Sequence, residues 1–144
     1  MTLADSAALA GSGILSLMTA PAVRSLALVA LCSAYIVGPL EKIFDFRGAI
    51  AEMQHFGLSP APLFAIAVIV FELTASALFI SGVLRWAAAL ALAAFTLIAT
   101  LLAERFWKLP TGPNRSATMN AFFEHLGLVG AFVLVAAGDV AARV

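Results

Sequence analysis

APLFAIAVIVFELTASALFISGVL, residues 61–84, carries a single charge, Glu72, near its middle. An α-helix needs roughly 20 residues to cross a hydrocarbon core. The segment therefore reads as a membrane span with Glu72 close to the midplane. A carboxylate at that depth is costly unless it is protonated, paired, or facing water inside a bundle. The helical stripe through Glu72 contains Ala65, Val68, Ile69, Ala75, Ser76 and Phe79. Its small members let a neighbouring helix approach closely, so this stripe is expected to face inward.

The rest of the chain has the same character. Of its 144 residues, 63% are hydrophobic and 11% charged, and the mean hydropathy is +1.07. These values are those of an integral membrane protein. The expected fold is all-α: one polytopic domain over residues 1–144, a bundle of four transmembrane helices at about 23–43, 61–81, 85–103 and 119–138. Residues 1–22 lack the positive start of a secretory signal peptide and read as a retained lead-in.

Between the first two spans, FDFRGAIAEMQHFGLSPAP is too polar to cross and places Phe46, Ile50 and Met53 on one side. It reads as a short amphipathic helix at the membrane surface, ended by Gly57. Gly38-Pro39 is expected to bend or loosen the end of the first span. In the third span, the pairs Ala87/Ala91, Ala89/Ala93 and Ala99/Ala103 suit close helix packing. Phe106 and Trp107 suit interfacial depth.

Several function classes are disfavoured. Formal charge is zero and no basic run exists, so a nucleic-acid partner is not expected. The single cysteine, Cys32, excludes an internal disulfide and a CxxC redox centre, and no metal site is expected. No nucleotide, haem or hydrolase motif is present.

The candidate site residues follow from the spans. Lys42, at the end of the first, lies about 10 Å from the midplane at ~1.5 Å per residue, within combined side-chain reach of Glu72. Glu72 could instead be protonated and hydrogen-bonded to Tyr35, Ser76 or Thr96, and Arg85 could also reach inward. Glu124 and His125 point about 100° apart on the fourth span. Asn120, Glu124, Gly127 and Ala131 form a small, polar stripe, so Glu124 is the expected interior residue. His125 suits a helix contact, or else a proton relay, a quinone hydrogen bond or a metal ligand. Glu41, Asp45, Arg47, His55 and Arg115 are expected to gather with these residues at one mouth of the bundle, on the side of the 1–2 and 3–4 loops.

The same residues carry a resemblance. Gly38-Pro39-Leu40-Glu41-Lys42-Ile43-Phe44-Asp45-Phe46 resembles the G-x-x-K-x-x-D-F end of the first helix in DoxX-family membrane proteins, with one residue more before the lysine. Gly57-Leu58-Ser59-Pro60 resembles their G-L-P turn with Ser59 inserted, and Glu72-Leu73 with Gly82-Val83-Leu84-Arg85 resembles their E-L…G-x-x-x-R pattern with one residue fewer in the last gap. Asn120-Ala121-Phe122-Phe123, with Leu126 to Gly130, resembles their fourth helix. Many members carry Lys-Asn where this chain has Glu124-His125, so no role of that lysine is carried over.

The resemblance implies a multi-pass protein of a bacterial cytoplasmic membrane, with relatives linked to thiosulfate or quinol oxidation or to redox-stress complexes. From the sequence the preferred role is an accessory subunit, docked on a protein partner or a second copy, because no means of binding a cofactor is evident. The alternatives are a quinone-linked oxidoreductase subunit using Glu72 as proton acceptor, and a carrier of a small solute or proton.

Overall fold

The computed structural model describes residues 13–17 and 19–144. The expected lead-in over residues 1–22 lies in large part outside the described residues. Five α-helices longer than two turns follow: α1 (Pro21–Phe44), α2 (Phe46–His55), α3 (Ala61–Ser81), α4 (Arg85–Ala103) and α5 (Pro113–Ala141), with a 3₁₀ turn at Phe106–Lys108. Among the described residues, four helical segments are long and apolar enough to cross a membrane, α4 counting together with the 3₁₀ turn that follows it. The chain is thus an all-α, multi-pass membrane protein.

Local chemistry sets the helix ends. Pro21 and Pro113 stand in first turns, where the missing N–H costs nothing. α5 accordingly starts at Pro113, earlier than the hydropathy-based expectation of 119, because its first turns need no apolar face. Pro39 does not end α1: it is buried and the helix continues to Phe44. Asp45 separates α1 from α2 and caps α2, its carboxylate accepting the Gly48 N–H at 3.0 Å. α3 stops at Gly82, whose φ of 85° is open to glycine at little cost.

α1 packs on α3, α3 on α4, and α4 on α5, while α2 crosses the start of α3. α2 buries Ala49 and Met53 against Ala61 and Ala65, so it is a packed element of the fold as well as an amphipathic one. The main core joins Cys32 and Tyr35 of α1, Ala75 and Phe79 of α3, Ala89 and Leu92 of α4, and Phe132 of α5. Phe132 is its keystone. Its ring meets Tyr35 edge-on at 5.5 Å and Phe79 at 5.3 Å between centroids, which ties the first, second and fourth spans together.

The inward stripe of α3 agrees with the expectation except at one position: Ala65, Ile69, Glu72, Ala75, Ser76 and Phe79 are buried, and Val68 is half-buried. Large apolar side chains such as Ile66, Leu90 and Leu134 point outward, toward the lipid that a chain of this composition requires.

Candidate functional site

Glu72 is 9% exposed, and its Oε2 meets no hydrogen-bonding partner among the described residues. A buried polar atom left in this state is costly, so its surroundings matter. It lies in the wall between two cavities, which share Phe95, Ala99 and Ala103 of α4 as well as Glu72 itself.

The larger of the two, about 380 Å³, is enclosed by the end of α1, by α2, α3 and α4. Its polar end carries Lys42, Glu52 and Glu72, and Met53, Phe64, Phe95 and Leu102 supply apolar walls. Lys42 does not pair with Glu72; its ammonium donates to Glu52 Oε2 at 2.6 Å. The reason is the backward turn at Asp45, which folds α2 over the end of α1 and delivers Glu52 to Lys42. Both partners retain some exposure, 21% and 42% of their side chains, so the pair is open to exchange with a ligand.

The smaller cavity, about 200 Å³, opens between α1, α3, α4 and α5 and is lined by Tyr35, Glu72, Thr96, Thr100, His125 and Leu128, among others. The Tyr35 hydroxyl hydrogen-bonds Thr96 Oγ1, and Thr96 in turn donates to the Leu92 carbonyl at 2.6 Å. That chain uses the Thr96 proton, so Tyr35 is the donor of the first bond. The Tyr35–Thr96 pair is therefore satisfied without Glu72, and Ser76 Oγ is itself without a partner. The expected hydrogen bond from Tyr35, Ser76 or Thr96 to Glu72 is absent among the described residues.

A further cavity of about 410 Å³ between α3 and α4 is lined by apolar side chains, Phe71, Leu78 and Leu84 among them, with Thr74 its one polar residue. It has no titratable group and reads as a lipid-facing groove.

The fourth span is rotated from its expected setting. His125 is half-buried against the smaller cavity, whereas Glu124 and Asn120 are exposed. The rotation is dictated by Phe132 and Ala136, whose burial in the core carries Leu128 and His125 inward on the same stripe.

The expected mouth is only partly assembled. Glu41, Arg47 and His55 are exposed, His55 stacking edge-on with Phe56 at 5.4 Å. Asp45 is spent on the α2 cap. Arg115 stands 6.0 Å from the Phe106 ring centroid, beside an interfacial cluster in which Phe106 and Trp107 pack on Phe122. Among the described residues, no three His, Cys, Asp or Glu side chains converge on a metal site.

Arg85 lies apart from Glu72. Its guanidinium donates to the carbonyls of Phe79 at 2.9 Å and Ile80 at 3.2 Å, closing the C-terminal turn of α3. Cations suit a helix C-terminus, where carbonyls lack amide partners. Arg85→Met is expected to cost roughly 1–3 kcal/mol, because it strips charge-assisted hydrogen bonds from those carbonyls. Thermal unfolding in detergent measures it.

Glu52, Phe95 and Thr100 are site residues that the sequence reading missed. Glu52 had a signal: it stands ten residues after Lys42, across a polar break that lets the chain double back.

Neither the curated proteins nor the solved structures contain a significant match to this chain. The family model described as DoxX matches residues 25–105. That region takes in the membrane-embedded part of α1 and all of α2, α3 and α4, with Lys42, Glu52 and Glu72, and stops short of α5 and His125. A match over more than half of the chain, running through the helices that enclose the larger cavity, makes this protein a member of the DoxX family.

Proposed function

We propose that this DoxX-family protein binds a quinone-type amphiphile in the 380 Å³ cavity that holds Lys42, Glu52 and Glu72, and that Glu72 exchanges a proton with the bound head group. One observation carries the reading: Glu72, a buried carboxylate whose Oε2 has no partner among the described residues, is a wall residue of a 380 Å³ cavity. Pockets of roughly 300–1,000 Å³ with apolar walls and a few convergent polar groups are the usual form of small-molecule sites.

The residues fit such a ligand. Phe64, Phe95 and Leu102 offer apolar contact to a ring and tail. The Lys42 ammonium, already at the cavity, is a donor for a carbonyl oxygen, and Glu52 holds it in place. A bound quinone would supply coupled electron and proton chemistry; the protein's part is to bind, orient and carry the proton at the Glu72 carboxylate. Ile98, well inside the α4 span, is exposed at the rim, so an amphiphile would enter from the lipid side.

Photolabelling with a short-tailed azidoquinone in nanodiscs tests this reading. Label concentrated on Met53, Phe95 or Leu102 is expected, whereas label spread over outward-facing Ile66, Leu90 and Leu134 would contradict it. Lys42→Met is expected to weaken quinone binding on the order of tenfold, the worth of one hydrogen bond from a charged donor. Titration of the variant against wild type reads the difference.

A second reading, the accessory subunit, is favoured by α5. Asn120 and Glu124 are exposed on a membrane-spanning helix, and a carboxylate in that setting calls for a polar partner. Cross-linking through a cysteine at position 124 would capture a partner subunit or a second copy; a chain that stays unlinked in its native membrane would contradict the reading.

A further inference from the structure

We propose that the smaller cavity holds a short file of water that carries protons between His125 and Glu72. This inference rests on the reading of Glu72 as a proton acceptor and supplies the route by which its proton is exchanged with solvent.

Two residues that each carry an unpartnered buried oxygen line this cavity. Glu72 is 9% exposed and Thr100 4%, and neither Glu72 Oε2 nor Thr100 Oγ1 has a hydrogen-bonding partner among the described residues. They belong to different helices and line the same space. Its volume of about 200 Å³ is ample for several waters at roughly 30 Å³ each, and a buried water needs two to four polar partners. The Tyr35 hydroxyl and the His125 ring complete that set. Water placed here lies beside both residues, whose orphaned oxygens no protein group among the described residues meets.

The cavity also has a direction. Ala103 ends α4 beside the 3–4 loop, and His125 lines the cavity together with it, half-buried. Glu72 belongs to the wall shared with the other cavity, whereas His125 lines this one alone. Half-buried against 9% exposed, His125 is the more accessible of these two titratable groups and Glu72 the more buried. An imidazole accepts a proton on one nitrogen while releasing one from the other, which suits it to this position.

One proton passes from solvent to His125, through the water file, to the Glu72 carboxylate. No electron moves, and the reverse transfer resets the path. The groups facing Glu72 are accounted for from every helix around it. Tyr35 and Lys42 come from α1, Glu52 from α2 and His125 from α5, while α4 contributes only the neutral Thr96 and Thr100. With Lys42 held by Glu52 on the other cavity, His125 is the titratable group placed to supply protons on this side.

The test uses purified protein in nanodiscs without ligand, so its outcome is independent of what the larger cavity binds. After an acid jump, the rise of the protonated Glu72 carboxyl band is followed by infrared spectroscopy, the band being assigned by its loss in Glu72→Gln. Thr100→Val and His125→Gln are each expected to slow that rise on the order of tenfold or more, while Thr100→Ser, which keeps the hydroxyl, retains the wild-type rate. Each variant is first required to unfold cooperatively. Wild-type rates in both Thr100→Val and His125→Gln would overturn the proposal. So would a Glu72 band that does not respond to acid in the wild type.

Discussion

Glu72→Met is expected to unfold at a higher temperature than the wild type while losing the quinone binding proposed for its cavity. The wild-type carboxylate is buried with one oxygen unpartnered among the described residues, in a setting lined by Val68, Phe95 and Ala99. Leaving a buried polar group unsatisfied costs roughly 1–3 kcal/mol, and replacing buried charged groups by apolar ones of similar volume is often stabilising. Methionine matches the length of the side chain and adapts to irregular space. A gain of about 1–3 kcal/mol is therefore expected, measured by thermal unfolding in one detergent. Sites that trade stability for function behave in this way. A loss of stability would mean that Glu72 holds the bundle together.

The largest loss of stability is expected from Phe132→Ala, about 3 kcal/mol. In lipid the transfer term is small, since acyl chains are as apolar as a core, so the cost arises from lost packing. Phe132 is fully buried and touches Tyr35 and Phe79 in edge-to-face geometry at 5.5 and 5.3 Å. Each such pair is worth roughly 0.5–1.5 kcal/mol. Its removal also frees α5 to rotate, so His125 should become more accessible to solvent. The control is Leu134→Ala on the same helix: that side chain is 75% exposed, and a change within about 0.5 kcal/mol is expected.

These two residues mark what could and could not be read from the sequence. The spans and the inward face of α3 were legible because they depend on local quantities, hydropathy and helical period. Glu72 stood out as a charge that had to be turned from lipid. The facing of α5 was not legible. Its apolar residues run all round the helix, and the choice between Glu124 and His125 as the inner residue is made by Phe132 seating between Tyr35 and Phe79. Those contacts cross the whole chain.

The Lys42–Glu52 pair failed to be anticipated for a related reason. Span arithmetic gave Lys42 the depth to reach Glu72, but depth says nothing of competitors. Once Asp45 turns the chain and caps α2, Glu52 arrives within 2.6 Å and takes the ammonium. Glu72 is thereby left without a cation in hydrogen-bonding contact among the described residues, and free to serve the two cavities that meet at it. The match to the DoxX model covers this part of the site, and the stretch of α5 that brings His125 lies beyond it.

Equilibrium dialysis of a short-tailed, radiolabelled benzoquinone against the protein in nanodiscs tests the role of Glu72 most directly. Saturable binding at one site per chain is expected, weakened on the order of tenfold or more by Glu72→Gln. Uptake that rises linearly with concentration, equal to that of protein-free nanodiscs, or a Glu72→Gln isotherm that overlays the wild type, would contradict it.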